Sequence, residues 1–425
     1  MLKYNILFIL LIIISACSSN SLSDEILGEN GEVVIHYPLE MLNTYSTINK
    51  TTSWYRTNQS FTELYNVHGG KYWGFELING VFYPFIPGTW SENKTPFYWW
   101  NDLGGYLFTD LTGDGKKDLW AYYLKAPWPT NAKGLHLFVD NYKNNEDYDL
   151  QMGLTQVRKQ VLSDFDNDSK SEIMLFSSGH DAPPFPGDSL AYFNVTNKSY
   201  TYLSDDIGYF HGGATGDINL DGYEDIVAYS GGSAVIPVHP VHYRNNMGNG
   251  FILDNDIFKN FSRDDNYYTV ELFDINNDGW LDLFLGTRGK LIIIPNENGV
   301  LDREKGVNIQ PDESLEVLDI DFFDFDKDGD YEILVMNNKS FYSGYSLKLY
   351  DYESDNARNI TADYFDSTEY DGPNSWIKWI HIFDFDKDGN LDIVADGLFG
   401  NLYGTRGEKQ IYWKNSGKRF THLAL

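Results

Sequence analysis

Cysteine occurs once in these 425 residues, at Cys17, so no disulfide can staple the chain internally. Basic residues are scarce: 32 Lys and Arg stand against 62 Asp and Glu, a formal net charge of −30. A polyanion such as nucleic acid finds no electrostatic footing on such a chain. No local cluster of Lys and Arg compensates. Beyond the N-terminal leader no apolar run is long enough to span a bilayer as a helix. Also missing are a nucleophile elbow, a Walker loop, zinc-ligand spacing and a Gly-rich dinucleotide turn, so nothing in the chain demands an enzyme. What is plentiful is apolar and aromatic material, 42% and 16% of residues, which suits a large folded core and not a disordered chain.

The leader, MLKYNILFILLIIISAC, joins Lys3 to an apolar run from Ile6 to Ile14 and then to small Ser15 and Ala16. That is the build of a secretion signal, too short to cross a bilayer stably. Ile14-Ser15-Ala16-Cys17 resembles a bacterial lipobox. The resemblance implies a signal peptide over 1–16, lipidation of Cys17 and attachment to a membrane through the N-terminal lipid. Residues 17–45, opening with the polar SSNSLSDEILGENGE, are expected to form the lipidated Cys and its tether, leaving 46–425 for the folded domain. The expected location is the bacterial cell envelope, at the outer membrane, on its periplasmic or surface face.

A nine-residue pattern recurs six times: DLTGDGKKD from Asp110, DFDNDSKSE from Asp164, DINLDGYED from Asp217, DINNDGWLD from Asp274, DFDKDGDYE from Asp324 and DFDKDGNLD from Asp384. The intervals run from 50 to 60 residues, which marks one supersecondary unit repeated. Each copy has an oxygen-bearing side chain at positions 1, 3 and 5 and a carboxylate at position 9. These are Asp110, Thr112, Asp114 and Asp118; Asp164, Asp166, Asp168 and Glu172; Asp217, Asn219, Asp221 and Asp225. The later copies supply Asp274, Asn276, Asp278 and Asp282; Asp324, Asp326, Asp328 and Glu332; Asp384, Asp386, Asp388 and Asp392.

Like charges so close repel unless something neutralises them. A hard cation such as Ca²⁺ takes roughly six to eight oxygen ligands, and a tight turn bearing alternate carboxylates delivers them from one segment. Up to six structural Ca²⁺ ions are therefore expected. Position 6 is Gly in every copy but one, where Ser169 stands, and Gly permits the positive-φ bend that returns position 9 to the ion. The copies from Asp164, Asp324 and Asp384 offer four carboxylates and should bind most strongly. Asn219 and Asn276 reduce the count in two others, and Thr112 makes the first copy the weakest.

An EF-hand begins in the same way but requires a Glu at position 12. Here that position holds Ala121, Leu175, Ala228, Leu285, Val335 and Ala395, none of which can ligate. The flanks, such as KQVLSD before and EIMLFS after, are short, aliphatic or aromatic, and bounded by Gly, Asn or Ser. They read as strands, so each loop is the turn of a β-hairpin.

The six loops resemble the calcium loops of FG-GAP/VCBS repeats, and tails such as YRNNMGNGFI (243–252) and YWKNSGKRFT (412–421) resemble the ending of a VCBS unit. Phe-Gly occurs only at Phe399-Gly400 and Gly-Ala-Pro not at all, so integrin-like ligand recognition is not implied. The resemblance implies an all-β fold, a β-propeller of seven blades, with 46–99 as a seventh unit without metal. The alternative is six blades plus a small N-terminal β cap. Radial closure would protect the strand edges.

Other chemistry is sparse. His180 and Asp181 sit in the Pro/Gly loop SSGHDAPPFPGDS, and His211 opens HGGATGD. They read either as an acid–base pair or ligand cradle, or as a stiff loop whose His caps a backbone carbonyl. Seven of eleven tryptophans, Trp54, Trp73, Trp90, Trp99, Trp100, Trp120 and Trp128, lie toward the N-terminus, as inter-blade packing or as a sugar-stacking platform. The function expected is a Ca²⁺-binding, lipid-anchored module that binds or scaffolds glycans or proteins. The alternative is a propeller-type polysaccharide lyase or hydrolase.

Overall fold

The computed structural model describes residues 154–424 with interruptions, the longest at 180–186, 232–239, 372–379 and 396–410, and before them seven strands between 24 and 138. Cys17, His180, Asp181, Asp110, Thr112, Asp114, Asp384 and Asp386 lie outside the described residues.

The fold is all-β, built from antiparallel meanders. Four-stranded sheets comprise Val157–Ser163, Glu172–Ser177, Ala191–Asn194 and Ser199–Tyr202, then Tyr209–Gly216, Asp225–Gly231, Val241–Asn245 and Phe251–Leu253. A third joins Tyr267–Phe273, Asp282–Thr287, Leu291–Ile294 and Val307–Ile309. The next joins Leu315–Phe323, Glu332–Lys339, Gly344–Glu353 and Asn356–Asn359, with Glu369–Asp371 also paired to its third strand. The last holds Ile380–Phe383, Asp392–Ala395, Ile411–Asn415 and Phe420–Ala424. The first aspartate copy falls between Leu103–Thr109 and Asp118–Tyr123 of a three-stranded sheet completed by Leu135–Phe138. In all six sheets the nine-residue pattern joins first strand to second. Each sheet is named below by the aspartate that opens its loop.

A further four-stranded sheet pairs Asp24–Leu27, Val33–Pro38, Gly74–Ile78 and Val81–Phe85. Its first two strands fall within the span read as tether, and the other two within the metal-free unit.

Second strands such as Glu172–Ser177 and Asp282–Thr287 are buried along their whole length. Continuous apolar runs like EIMLFS suit strands covered on both faces. The cover comes from neighbouring sheets. Val161, Phe165, Met174 and Phe176 pack with Phe210, Ile226 and Ala228 between the Asp164 and Asp217 sheets. Val227 and Tyr229 meet Val270, Leu283 and Leu285 at the next junction, and Phe273 stacks on Phe322, centroids 4.4 Å apart, at the one after. Each such side chain contributes roughly 1.5–3 kcal/mol by leaving water, so the stability lies between sheets.

First strands converge. Lys159 Nζ, in the Asp164 sheet, bonds both carboxylate oxygens of Glu271 at 2.8 Å and Val270 O at 3.2 Å, two sheets further on. The intervening first strand allows this because it carries Gly212 and Gly213. A Cβ on Gly212 would stand 2.8 Å from Val270 N, and one on Gly213 would stand 1.9 Å from the Phe176 ring. Burial lowers the Lys159 pKa and raises that of Glu271 to about 8, with the pairing of the two opposing both shifts.

Candidate metal loops

Local hydrogen bonding explains why DxDxDG folds as it does. The first aspartate turns back on its own loop: Asp164 accepts from Asp168 N at 3.1 Å and Ser169 N at 2.9 Å, and Asp324 from Asp328 N and Gly329 N at 3.1 Å each. Asp217 and Asp274 repeat this with Asp221 and Gly222, and with Asp278 and Gly279. Position 6 is left-handed in each of the five copies where it is described, with φ of 91° at both Gly222 and Gly279. Ser169 takes φ 69° there, a conformation that costs an L-residue about 1–2 kcal/mol.

Two of the loops gather their carboxylates. Oxygens of Asp164, Asp166 and Glu172 lie within 4.8 Å of one another, as do those of Asp324, Asp326 and Glu332. Glu172 and Glu332 are buried. Burial raises their pKa values to about 7 and about 8, opposed by the Phe165 and Phe325 amides that donate to them and reinforced by the loop aspartates. Three converging acidic oxygens, one of them desolvated, are what a hard divalent cation needs and what a protein disfavours without one. The donor set therefore fits Ca²⁺. Asp168 and Asp328, at position 5, accept instead from Lys170 N and Asp330 N.

In the loops bearing Asn at position 3, the amide donates to a carboxylate of its own loop. Asn219 Nδ2 donates to Asp225 Oδ2 at 3.0 Å, and His242 Nε2 lies 3.2 Å from that same oxygen. Asn276 Nδ2 donates to Asp278 at 3.1 Å. Burial raises Asp225, and raises Asp282 to about 7. In the last loop Asp388 meets Lys414 at 3.2 Å, and Asp392 is buried.

A second motif links one loop to the next. Asn245 Nδ2 donates to Phe165 O, in the preceding sheet's loop, at 2.8 Å and to Glu224 O in its own at 3.0 Å. Asn296 does the same to Ile218 O and Leu281 O, and Asn415 to Phe325 O and Leu391 O. At the loop surface, Asn167 donates to Gly222 O and Lys327 to Gly389 O, again from one loop to the following one. The sequence marks these asparagines only as part of an Asn/Gly turn, and His242 carries no local signal. His211 lies against Tyr268 with ring centroids 6.4 Å apart.

The FG-GAP-like repeat family matches residues 217–285 and 274–335. No curated protein matches the chain. Among solved structures, similarity is found to an Agrocybe aegerita lectin that recognises non-reducing terminal N-acetylglucosamine: 16% identity, 81% of this chain and 85% of that one, TM-score 0.42. A glycoside hydrolase aligns at 11% identity over 61% of this chain and 60% of its own, TM-score 0.33. A Bacillus licheniformis rhamnogalacturonan lyase aligns at 12% identity over 95% of this chain, TM-score 0.27, and the chain spans 60% of its length.

Proposed function

We propose that the protein is a calcium-stabilised β-propeller of seven FG-GAP-type blades that acts as a binding or scaffold module for glycans or proteins, held at the bacterial outer membrane by lipid on Cys17. The observation that carries the calcium reading is the convergence of Asp164, Asp166 and Glu172, repeated by Asp324, Asp326 and Glu332. These residues would hold the ions, and each ion would supply the positive charge that lets a hairpin turn pack its acidic groups at a sheet junction. The leader supports the anchor, and the meander of four-stranded sheets supports the blades.

Calorimetry in saturating calcium and in chelator tests the metal. The melting temperature should rise with Ca²⁺ and respond poorly to Mg²⁺, which demands tighter octahedral geometry. Indifference to both calcium and chelator defeats the reading. For the anchor, Cys17→Ser should abolish membrane fractionation and change the N-terminal mass. A glycan array run beside an unsaturated-product assay separates a binder from a lyase.

A further inference from the structure

The asparagine bridges between loops do not run evenly along the chain. Asn245 ties the Asp164 loop to the Asp217 loop, Asn296 ties that loop to the Asp274 loop, and Asn415 ties the Asp324 loop to the Asp384 loop. All three asparagines are buried. By strand pairing, the equivalent third-strand residue is Val195 in the Asp164 sheet and Tyr352 in the Asp324 sheet, and neither side chain carries an amide. Among the described residues, no hydrogen bond joins 274–282 to 324–332. Aromatic rings close that junction instead: Phe273 stacks on Phe322 and meets Tyr331 with centroids 5.1 Å apart. The bridges therefore mark two blocks, one of the Asp164, Asp217 and Asp274 loops and one of the Asp324 and Asp384 loops. Each block opens on a loop whose three carboxylates converge.

Each asparagine holds two loops by the atoms that place their ligands. Phe165 lies between Asp164 and Asp166, Ile218 between Asp217 and Asn219, and Phe325 between Asp324 and Asp326, so every bridged carbonyl is flanked by positions 1 and 3 of its loop. The backbone N–H of the same asparagine donates to position 9 of the following loop: Asn245 to Asp225 at 2.7 Å, Asn296 to Asp282 at 2.8 Å and Asn415 to Asp392 at 2.7 Å. Its side-chain oxygen accepts from the N–H of Gly248, Gly299 or Gly417, which fixes the orientation of the amide. Gly248 also rests on the Asp164 loop, where an added Cβ would stand 3.3 Å from Asp166 Cα. Surface bonds run within the same blocks, from Asn167 to Gly222 O and from Lys327 to Gly389 O and Asn390 Oδ1.

We infer that calcium held by the Asp164 triad also orders the Asp217 and Asp274 loops, that calcium held by the Asp324 triad orders the Asp384 loop, and that the coupling stops between the Asp274 and Asp324 loops. Resting on the calcium reading above, this coupling makes Asn245, Asn296 and Asn415 positioning residues for loops whose ligands they do not supply. An ion that draws Asp164 and Asp166 together fixes Phe165 between them. The fixed carbonyl holds the Asn245 amide, and the Asn245 N–H holds Asp225, the closing carboxylate of the next loop. Asn296 repeats the step from Ile218 to Asp282. A contiguous line of buried hydrogen bonds transmits such a constraint, because displacing one member leaves its partner unsatisfied. Apolar contact among Phe273, Phe322 and Tyr331 is non-directional and imposes no constraint of that kind.

Hydrogen exchange of the full chain, followed by mass spectrometry across a calcium titration, reads each loop separately through amides such as those of Gly222, Gly279 and Gly329, which close on the first aspartate. Glu172→Gln should raise the calcium midpoint for protection of the Asp217 and Asp274 loops about tenfold, within the usual range for coupled sites, and leave the Asp324 and Asp384 loops unchanged. Glu332→Gln should move the Asp384 loop and spare the other block. In an Asn296→Ala background, Glu172→Gln should still move the Asp217 loop but no longer the Asp274 loop, a pattern that a general loss of stability does not produce. Should Asn296→Ala fail to fold, the two Glu→Gln variants decide alone. Variants that each change only their own loop, or that shift all loops alike, overturn the coupling and leave calcium binding in place. If protection in the wild-type chain ignores calcium at every loop, the calcium reading itself fails.

Discussion

The loops at Asp164 and Asp324 close on Glu, whereas those at Asp217 and Asp274 close on Asp. Glu, longer by one methylene, reaches back into its own loop: Glu172 accepts from Phe165 N at 3.0 Å and Glu332 from Phe325 N at 3.1 Å. Asp225 is held from the opposite side, by Asn245 N at 2.7 Å, and Asp282 from both sides, by Asn296 N at 2.8 Å and more distantly by Ile275 N of its own loop at 3.3 Å. Asp392 takes Asn415 N in the same way, at 2.7 Å. Where the closing residue is Glu, the third-strand position equivalent to these asparagines is Val195 or Tyr352, by the pairing of Ile173 with Phe193 and of Ile333 with Tyr350. One backbone frame thus closes in two ways. Amides donate to the closing carboxylate in both, Asn194 Nδ2 reaching Glu172 at 2.9 Å, but the Glu loops bring three carboxylates together, whereas in the Asp loops the third-strand asparagine also ties the loop to its predecessor.

The largest effect expected from breaking this pattern comes from Asn245→Ala. It strips Phe165 O and Glu224 O of a buried donor and Gly248 N of an acceptor. Unsatisfied buried groups cost about 1–3 kcal/mol each, so the two buried carbonyls alone predict a loss of roughly 2–6 kcal/mol in chemical denaturation. Terbium luminescence should also report weaker metal binding at the Asp164 loop, although none of its ligands has changed. Unchanged affinity there would mean that neighbouring loops are independent.

Next is Glu332→Gln, which should remove the calcium-linked stability of one loop, about 2.7 kcal/mol at a hundredfold excess of calcium over its dissociation constant. Asp282→Asn should remove less. The pH response carries the sign of the shift. Glu172 and Glu332 are raised to about 7 and about 8, so the folded chain retains protons that the unfolded chain releases above the ordinary glutamate value of 4.5. Chelated protein should therefore lose stability as pH rises from about 4.5 through about 8. Calcium should restore it by displacing those protons, and calorimetry in buffers of different ionisation enthalpy should detect the release. Glu332→Gln should flatten the profile.

A smaller change should follow Asn219→Asp, which replaces the amide donating to Asp225 with a fourth carboxylate. Terbium affinity at the Asp217 loop should rise about tenfold, worth roughly 1.4 kcal/mol, and more when combined with His242→Gln. No gain would show that His242 and Asn245, and not the donor count, set the strength of this loop.

The smallest expected effect is at Leu220. It holds the left-handed position 4 at φ 56°, half exposed, where Asn167 and Lys327 elsewhere bridge to the following loop. Leu220→Asn should stabilise by about 0.5–1 kcal/mol, because Asn tolerates that conformation and can reach the next loop. A shift in melting temperature in the opposite direction would indicate that the exposed Leu makes a contact worth more than the strain.

Most of the repeat architecture was legible in the sequence. Asp164 to Glu172 holds strand end, turn and ligand set within nine residues, and hydrogen bonds such as Ser169 N to Asp164 are local, so spacing alone prescribes them. Among the described loops, the two triads form at Asp164 and Asp324, the two with four carboxylates, while Asp384 and Asp386 of the loop ranked with them, and Asp110, Thr112 and Asp114 of the loop ranked below, lie outside the described residues. The asparagine staples were half visible, as an Asn/Gly turn whose remote partner was not.

By itself, then, the sequence determined what short-range chemistry controls: six aspartate turns, the hairpins that flank them, and the left-handed position that favours Gly. Only the tertiary structure decided which groups from different sheets meet. Lys159 and Glu271 are 112 positions apart, Asn415 and Phe325 are 90, and His242 approaches Asp225 from the third strand. Bulges at His211 and Tyr268 arise from strand register, which depends on how two strands pair and leaves no mark on one strand read alone.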